Sequence, residues 1–452
     1  MLPSNFQPFV NKRPICVLAR ATLEHLFEPK QLDELFARTA VKQYSHKLLF
    51  SALVEMMVAV VLCVEPSVHA AYRKRRDTFA VSDQAIYDKL QAMELGISAA
   101  LVADSAQKAA RVIDELGARR EPWLPGYRTR LLDGNHLAAT EHRIKELRTI
   151  WEAPLPGTTL VVMDPTTGLS TNIVQTPDGH AQERSLFDEV LALVQPRDVW
   201  IADRNFCTHK FLFRIDAAQA YFIIRQHGNV QGKLKGKRRF VGEGPTGKIY
   251  EQEIQLTFEG ETRTFRRITI ELLEPTRDGE QVMHLLTNLT KDQASGAVVA
   301  TMYRRRWTIE TLFAEVTETL ACEINTLCYP KAALFVFSLA LLAANAVAVV
   351  KASLRAAHGA EAADQLSAYY LALEIKQVHE GMMVALPAEN WHVFQAMTTK
   401  QFAAALKKIA AHADLARYQK SRRGPKKPPP QRTKYGNGGH VSTHKVLTER
   451  KE

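Results

Sequence analysis

Three side chains that could act on a phosphate ester are spaced along one predicted helix. At about 100° per residue, Tyr303, Arg306 and Glu310 fall on one stripe, which places a hydroxyl, a guanidinium and a carboxylate in one column. An apolar stripe from Ile309 to Leu320 lies roughly a quarter turn away, so the polar column would border a cleft. A carboxylate there can bind a hard cation, and an arginine one turn away can hold a phosphate. The alternative is a surface helix with an ordinary Arg306–Glu310 ion pair.

Two aspartates, Asp133 and Asp203, each stand at the end of a short apolar run that predicts a buried strand. Side chains at strand ends can converge on a cleft at the edge of a sheet. Together with Glu310 they form a candidate three-carboxylate site for two Mg²⁺ ions, which is typical of phosphoryl transfer. Taken singly, each aspartate is a common turn residue after a strand. Asp164 is a rival carboxylate, but its Pro-Thr-Thr-Gly context explains it as a turn residue.

The elements that would position these residues change in type along the chain. Residues 1–125 show helical apolar spacing with short breaks. Residues 226–289 are rich in Gly and β-formers and predict a mostly antiparallel β insertion. Between them the patterns predict a mixed sheet with helices around it. Its strands are Thr129–Asp133, Leu160–Met163, Leu169–Gln175, Asp198–Ala202 and Tyr221–Arg225, and its helices are Glu183–Val194 and Thr208–Gln219.

A helix, turn and helix with a basic flank lies in the first 125 residues. Ser82 is a plausible N-cap, and Gln84, Tyr87 and Lys89 lie near the start of the helix, where a recognition helix contacts bases. The preceding helix ends in four consecutive cations, Arg73–Arg76. This pattern predicts a DNA-binding surface, although many helical pairs without that function look the same.

The charge of the chain favours a polyanionic partner. Its 452 residues carry a net charge of +11, which puts nucleic acid ahead of membrane. Residues 418–452 hold ten Lys/Arg and two Glu, which is +8 of that total. This segment also contains Pro428-Pro429-Pro430 and a cluster of Gly, so it is predicted to be a disordered basic tail.

Compartment signals point to the cytoplasm. Five scattered cysteines without a CxxC pair indicate reduced thiols, with neither a disulfide framework nor a zinc site. The N-terminal residues show no signal-peptide pattern. Residues 332–350 are apolar and long enough to span a membrane, but the run is rich in Ala and contains Ser338 and Asn345. We therefore expect a buried core helix, no membrane partner and a cytoplasmic, bacterial protein.

The motifs, taken in order, resemble one known family. Asp-Gly at Asp133, Asp-Arg-Asn-Phe at Asp203 and Tyr-x-x-Arg-x-x-x-Glu ending at Glu310 resemble the DDE transposases of bacterial insertion sequences. The similarity is greatest to insertion-sequence family four, with its Tyr-Arg-Glu-Lys signature. Leu286-Thr287-Asn288-Leu289 and Gly438-Gly439-His440-Val441-Ser442-Thr443 also resemble that family, so the resemblance covers most of the chain from about Tyr127 onward.

This resemblance implies a fold and roles for the residues. It implies an α/β fold with a ribonuclease-H-like mixed sheet, interrupted by the β insertion and preceded by the all-helical N-terminal region. Asp133, Asp203 and Glu310 would be the catalytic, metal-binding triad for Mg²⁺ or Mn²⁺, and Tyr303 and Arg306 would hold the DNA end. One position departs from the family, because Thr317 stands where the signature has Lys.

The resulting hypothesis is a transposase that cuts and joins DNA at the terminal inverted repeats of an insertion sequence. It would act on element ends and target DNA as a homodimer in a synaptic complex. The alternatives are a catalytically inactive, transposase-derived DNA-binding protein and a plain nuclease of ribonuclease-H type. The predicted division is a helical DNA-end-binding domain (1–125), a catalytic core in two parts (126–225 and 291–356) around the β insertion (226–290), a C-terminal helical region (357–417) and the tail (418–452).

Overall fold

The computed structural model describes residues 3–45, 47–276, 279–420 and 439–449. Its N-terminal part is helical, as the apolar spacing of residues 1–125 predicted. Pro14 and Pro29 each occupy the first position of a helix, where the missing N–H has no partner to lose. The helices are α1 (Gln7–Lys12), α2 (Pro14–Leu26), α3 (Pro29–Thr39), α4 (Phe50–Val61), α5 (Val68–Lys74), α6 (Asp83–Gln91) and α7 (Leu95–Glu115).

A mixed sheet of nine strands forms the middle of the molecule. In order across the sheet, its strands are β4, β3, β1, β5, β6, β10, β9, β8 and β7. In chain order the strands are β1 (Arg128–His136), β2 (Ala153–Leu155, outside this sheet), β3 (Thr158–Asp164), β4 (Leu169–Thr176), β5 (Asp198–Ala202), β6 (Tyr221–Arg225), β7 (Lys233–Gly244), β8 (Gly247–Phe258), β9 (Glu261–Leu272) and β10 (Val282–Thr287).

The order of strands fixes where loops can meet. Strand β3 is antiparallel to both of its neighbours, β4 and β1, whereas β1, β5 and β6 run parallel, so the carboxyl ends of these three lie at one edge. The predicted β insertion is present as β7 to β10. It continues the central sheet, because β10 pairs with β6. Helix α8 (Phe187–Leu191) lies between β4 and β5, and α9 (His209–Ala217) connects β5 to β6.

The longest helix is the centre of the core. Helices α10 (Gly296–Arg304) and α11 (Trp307–Thr319) lead into α12 (Pro330–His358), which packs against α7, α4 and β4. The length and composition of α12 would allow a membrane crossing, but 89% of its most apolar window is buried inside the protein. Its polar Asn345 is used internally: its side chain accepts from the Ser170 N–H (2.8 Å) and donates to the Ser170 carbonyl (3.0 Å).

The C-terminal region returns to the core. Four helices follow α12, namely α13 (Ala360–Asp364), α14 (Ala368–Ala385), α15 (Ala388–Gln395) and α16 (Thr399–Ala410). The prediction of disorder over 418–452 is wrong for residues 439–449, which form β11 (His440–Ser442), paired with β2, and α17 (Thr443–Glu449). Long-range pairing and the burial of Val446 against Ile144 and Leu147 supply order that composition alone does not indicate. Residues 421–438 and 450–452 lie outside the described residues.

Candidate active site

Asp133 lies in the central strand β1 with 15% of its side chain exposed. It was predicted to end its strand, but β1 continues to His136, which pairs with Thr158 of β3. The backbone N–H of Gly134 donates to Asp133 Oδ1 (3.0 Å). The ladder to β3 therefore holds the backbone on both sides of Asp133, which fixes the direction of its carboxylate.

Asp203 follows β5 directly, as predicted. Its Oδ1 accepts from the backbone N–H of Asn205 (2.8 Å) and so caps the short 3₁₀ turn Arg204–Phe206. Strands β1 and β5 are parallel neighbours in which Leu132 pairs with Ala202. Asp133 and Asp203 are the next residues on these two strands, and thus adjacent at the same edge of the sheet.

Arg306 links two of the three predicted carboxylates. Its Nη1 donates to Asp133 Oδ2 (2.8 Å), and its Nη2 donates to Glu310 Oε1. The exposed fractions of the three side chains are 14% for Arg306, 15% for Asp133 and 29% for Glu310. The guanidinium also lies 6.0 Å from the ring centre of Tyr303, which is buried. The structure thus brings Tyr303, Arg306 and Glu310 together with Asp133.

The single helix predicted through Tyr303 and Glu310 is wrong. Helix α10 ends at Arg304 and α11 begins at Trp307, with a turn at Arg305 and Arg306 between them. The N–H of Arg306 donates to the Tyr303 carbonyl, three residues back, which is a tighter turn than the α-helix. At this break between the two helices, the side chain of Arg306 extends to Asp133, which lies in β1.

The pKa of Asp133 depends on burial and on the charges of its neighbours. Burial raises the pKa of Asp133 to about 6, the charge of Arg306 lowers it, and the charges of Asp203 and Glu310 raise it. Burial likewise raises the pKa of Tyr303 to about 12. Arg306 joins Asp133 to Glu310, and Asp203 is adjacent to Asp133 on the neighbouring strand, so all three carboxylates share one region of the protein.

Glu183 is a fourth acidic residue that the sequence did not single out. Burial raises its pKa to about 7, with further increases from the charges of Asp203 and Asp133 and a decrease from a hydrogen bond with Asn205. A Cβ added to Gly134 would lie 1.9 Å from Glu183 Oε1, so the missing side chain of Gly134 makes room for this carboxylate. Gly134 was the available signal in the sequence, since a residue without a side chain leaves room for another group to approach Asp133.

A polar cleft of about 610 Å³ adjoins these residues. It opens where β1, β5 and β6 end, which is the usual place for a ligand in an open α/β sheet. Its lining includes His136, His180, Glu183, Arg184, Asn205 and His227. The cleft therefore offers hydrogen-bond donors and one arginine to an anionic ligand beside the carboxylates.

The carboxylates fit Mg²⁺ or Mn²⁺ in chemistry but not in arrangement. Carboxylate oxygens are the ligands that these hard cations prefer. Within the described ranges, however, no group of three or more His, Cys, Asp or Glu side chains is arranged to hold a metal ion. Arg306 lies between Asp133 and Glu310 and forms an ion pair with each of them.

The predicted recognition residues lie on α6, which packs on α12. Gln84 is exposed, and its side chain donates to Asp88. Tyr87 is half-buried against the core. Lys89 points into the protein, since its Nζ donates to the Tyr44 carbonyl (2.9 Å) and lies 4.6 Å from the ring centre of Phe36. Burial lowers the pKa of Lys89.

The basic flank before α6 is partly neutralised. Lys74 makes ion pairs with Glu65 (2.9 Å) and Glu380 (2.8 Å), and Arg75 pairs with Glu55 (3.2 Å). The described contacts thus engage two of the four cations of this flank and the ammonium of Lys89. Gln84 remains the predicted α6 contact residue with the most open surface position.

Comparisons with known proteins found similar chains among curated proteins and among solved structures. A protein of Sinorhizobium fredii (strain NBRC 101917 / NGR234) named "Putative transposase y4zB" is 29% identical over 127 residues, which is 27% of this chain. The chain spans 33% of the length of that curated relative. A solved structure described as "Cryo-EM structure of piggyBac transposase synaptic complex with hairpin DNA (SNHP)" aligns over 88% of this chain and 86% of that one, with 10% identity and a TM-score of 0.43.

A protein-family model covers the candidate site itself. Residues 125–346 match the family model described as "Transposase DDE domain". The matched segment contains Asp133, Asp203 and Glu310, and also Tyr303 and Arg306. The part of the chain that carries the candidate active site is therefore similar to the transposase DDE domain.

Proposed function

We propose that this protein is a DDE transposase of insertion-sequence family four, which cuts and joins DNA at the terminal inverted repeats of its element. The observation that carries the proposal is that Arg306 binds both Asp133 and Glu310, with Asp203 next to Asp133 at the edge of the sheet, inside the segment that matches the transposase DDE domain. The order of three antiparallel strands followed by two parallel ones supports a ribonuclease-H-like core.

In this proposal Asp133, Asp203 and Glu310 hold Mg²⁺, or Mn²⁺, at the edge of the sheet. The bound ions would supply Lewis-acid stabilisation of the charge that develops on the phosphate. Tyr303 and Arg306 hold the DNA end, since a guanidinium can bind a phosphate through two parallel hydrogen bonds. The hydrogen bonds between β1 and β3 hold the backbone of Asp133, and the cap on the turn after β5 holds Asp203. Binding of the metal ions would therefore require little rearrangement of the backbone.

The partners follow from the same proposal. DNA is the substrate, with the element ends bound by the N-terminal helical domain, where Gln84 is the exposed contact residue on α6, and the target DNA joined in a second step. The net charge of +11 supports a polyanionic partner. Two ends must be paired for transposition, so we propose a homodimer in a synaptic complex, in the cytoplasm of a bacterium.

A second candidate function rests on Thr317. This residue stands where the family signature has Lys, and its hydroxyl donates to the carbonyls of Phe313 (2.9 Å) and Ala314 (3.2 Å) in its own helix. The chain has no Lys or Arg from Trp307 to Pro330 that would replace the missing charge on α11. A transposase-derived protein that binds element ends without cutting them is the function that this departure favours.

The test is cleavage of linear DNA with and without the element ends, in Mg²⁺ and in EDTA. Asp203→Asn should abolish cleavage and leave binding of the ends nearly intact, because it removes charge from the carboxylate site without removing a phosphate contact. Asp164→Asn is the matched control: it lies in the same segment, in a turn where Asp164 accepts from the Thr166 N–H (2.9 Å).

The outcomes separate the candidate functions. Cleavage by the wild type that depends on Mg²⁺ and on the ends supports the transposase. Binding without cleavage supports the inactive DNA-binding protein, and cleavage that ignores the ends supports a plain nuclease. An Asp203→Asn variant that loses binding and cleavage to the same extent would contradict the role proposed for Asp203.

A further inference from the structure

Arg306 occupies the position where a cation would meet the carboxylates. Its guanidinium binds Asp133 and Glu310 at once; Arg306 and Asp133 are largely buried, and Glu310 is partly buried. Both oxygens of Asp133 are already engaged, one by Arg306 and the other by the N–H of Gly134. Among the described residues no group of carboxylates is arranged for a metal ion. The guanidinium of Arg306 therefore supplies the positive charge that partners these carboxylates.

This arrangement sets up a competition between cations. A divalent ion at the oxygens of Asp133 and Glu310 would lie close to the guanidinium, and like charges at such distances repel strongly where water is scarce. Removing the guanidinium without replacement would leave several carboxylates unpaired in a partly buried place, which is equally unfavourable. Arg306 and a metal ion are thus alternative partners of the same carboxylates.

DNA offers Arg306 a different partner. A phosphodiester presents oxygen atoms that a guanidinium binds in the same two-pronged manner as it binds carboxylates. Arg306 lies in the turn between α10 and α11, beside the buried Tyr303, and faces the edge of the sheet where β1 and β5 bring the aspartates. A phosphate that reaches this place can take over the guanidinium, and the carboxylates are then free for a cation.

We propose that Arg306 is a displaceable internal counter-ion that couples DNA binding to assembly of the metal site. This inference rests on the proposed function and specifies its regulation. Without DNA, Arg306 keeps Asp133 and Glu310 together and disfavours metal binding. With DNA, Arg306 turns to the phosphate and metal binding becomes favourable. Coupling of this kind is reciprocal, so the metal must strengthen DNA binding by the same factor as DNA strengthens metal binding.

The first experiment measures Mn²⁺ binding to the full chain without DNA, by electron paramagnetic resonance of free Mn²⁺. Arg306→Gln should bind Mn²⁺ at least about tenfold more tightly than the wild type, because two carboxylates lose their competitor. Arg306→Lys keeps a positive charge and should remain as weak as the wild type. Arg304→Gln is the matched control, since Arg304 is an exposed arginine at the end of α10.

The second experiment tests the reciprocal effect by fluorescence anisotropy with a labelled 20-base-pair duplex. Adding Mn²⁺ should tighten binding to the wild type by about fivefold or more, in the usual range of such coupling. Asp203→Asn, with the metal site impaired, should show only the small effect of the cation on DNA itself. Arg306→Gln should likewise lose the coupling, because its carboxylates no longer depend on DNA for release.

The outcomes separate this inference from the function on which it rests. If the wild type cleaves element ends but folded Arg306→Gln binds Mn²⁺ no more tightly than the wild type, the counter-ion role is wrong and the transposase stands. If neither protein binds Mn²⁺ and the wild type does not cleave, both fail. Thermal unfolding of each variant identifies loss of fold, and if Arg306→Gln does not fold, tight Mn²⁺ binding by Arg306→Lys would overturn the proposal.

Discussion

The most informative stability test removes Arg266, a buried arginine in β9. Its exposed fraction is 9%, and it faces Glu251 of β8, which is 5% exposed. The pair makes two parallel hydrogen bonds, Nε to Oε1 (3.2 Å) and Nη2 to Oε2 (3.0 Å). The remaining nitrogen, Nη1, donates to the carbonyls of Leu289 (2.7 Å), Thr290 (3.1 Å) and Ala294 (2.9 Å). Arg266 thereby ties the β insertion to the segment that leads into α10.

Substituting Arg266→Met keeps most of the volume and removes all five hydrogen bonds. Glu251 would then be a buried carboxylate whose nearest remaining cation is Lys291, at 3.6 Å. Breaking a buried ion pair by removing one partner typically costs about 3–5 kcal/mol. Each buried carbonyl left without a donor adds about 1–3 kcal/mol, although these contributions are not additive. We therefore expect a loss of at least about 3 kcal/mol, a large part of the stability of an ordinary domain.

The assay is equilibrium unfolding in urea, followed by circular dichroism. The matched control is Arg238→Met in β7, because Arg238 pairs with Glu271 at a surface where the two side chains are 44% and 37% exposed. That change should cost no more than about 1 kcal/mol. The double variant Arg266→Met/Glu251→Leu should recover part of the loss, since it removes the unpaired carboxylate. A cost below about 1 kcal/mol for Arg266→Met would refute the reasoning.

Three further predictions use other parts of the molecule. Burial and neighbouring cations lower the pKa of His379 to about 4, so between pH 6.5 and 4 this residue gains a proton only in the unfolded chain. The free energy of unfolding should therefore fall by about 2 kcal/mol on going from pH 7 to 5. In urea titrations His379→Gln should remove this loss, whereas His412→Gln, at an exposed position, should not. Thr317→Lys should tighten binding of end DNA by roughly 1 kcal/mol in a titration, and no change would mean that this face of α11 does not meet DNA. Deleting residues 439–452 should lower the free energy of unfolding by roughly 2–3 kcal/mol, because Val446 and its apolar neighbours lose their packing. The control Lys445→Ala removes one half-exposed ion pair and should lower the free energy of unfolding, measured by thermal unfolding, by no more than about 1 kcal/mol.

Some of the site could be read from local sequence. Strands β5 (Asp198–Ala202) and β6 (Tyr221–Arg225) have the predicted bounds, because each is a short apolar run between turn residues and is buried on both faces. Since Asp203 is the next residue after β5, its position at the carboxyl edge followed as well. The order and spacing of the motifs also predicted the transposase DDE domain that residues 125–346 match.

Other features of the site depend on partners far away in the chain. Gly134-Asn135-His136 does not resemble a strand, yet pairing with β3 extends β1 through these residues and so places Asp133 inside the strand. The break between α10 and α11 falls where Arg306 reaches Asp133, 173 residues away in sequence. The apolar periodicity of the local sequence predicts one continuous helix and cannot predict a contact with a residue so distant in the chain.

The sequence by itself determined which residue types are available to the candidate site and which short strands carry the two aspartates, because local hydrophobic pattern and turn chemistry specify those features. Only the tertiary structure decided that Glu183 enters the space left by Gly134, that Arg306 lies between Asp133 and Glu310, and that residues 439–449 are ordered. Each of these depends on strand order and on burial between distant segments, and the free energy of such contacts exists only after the chain has folded.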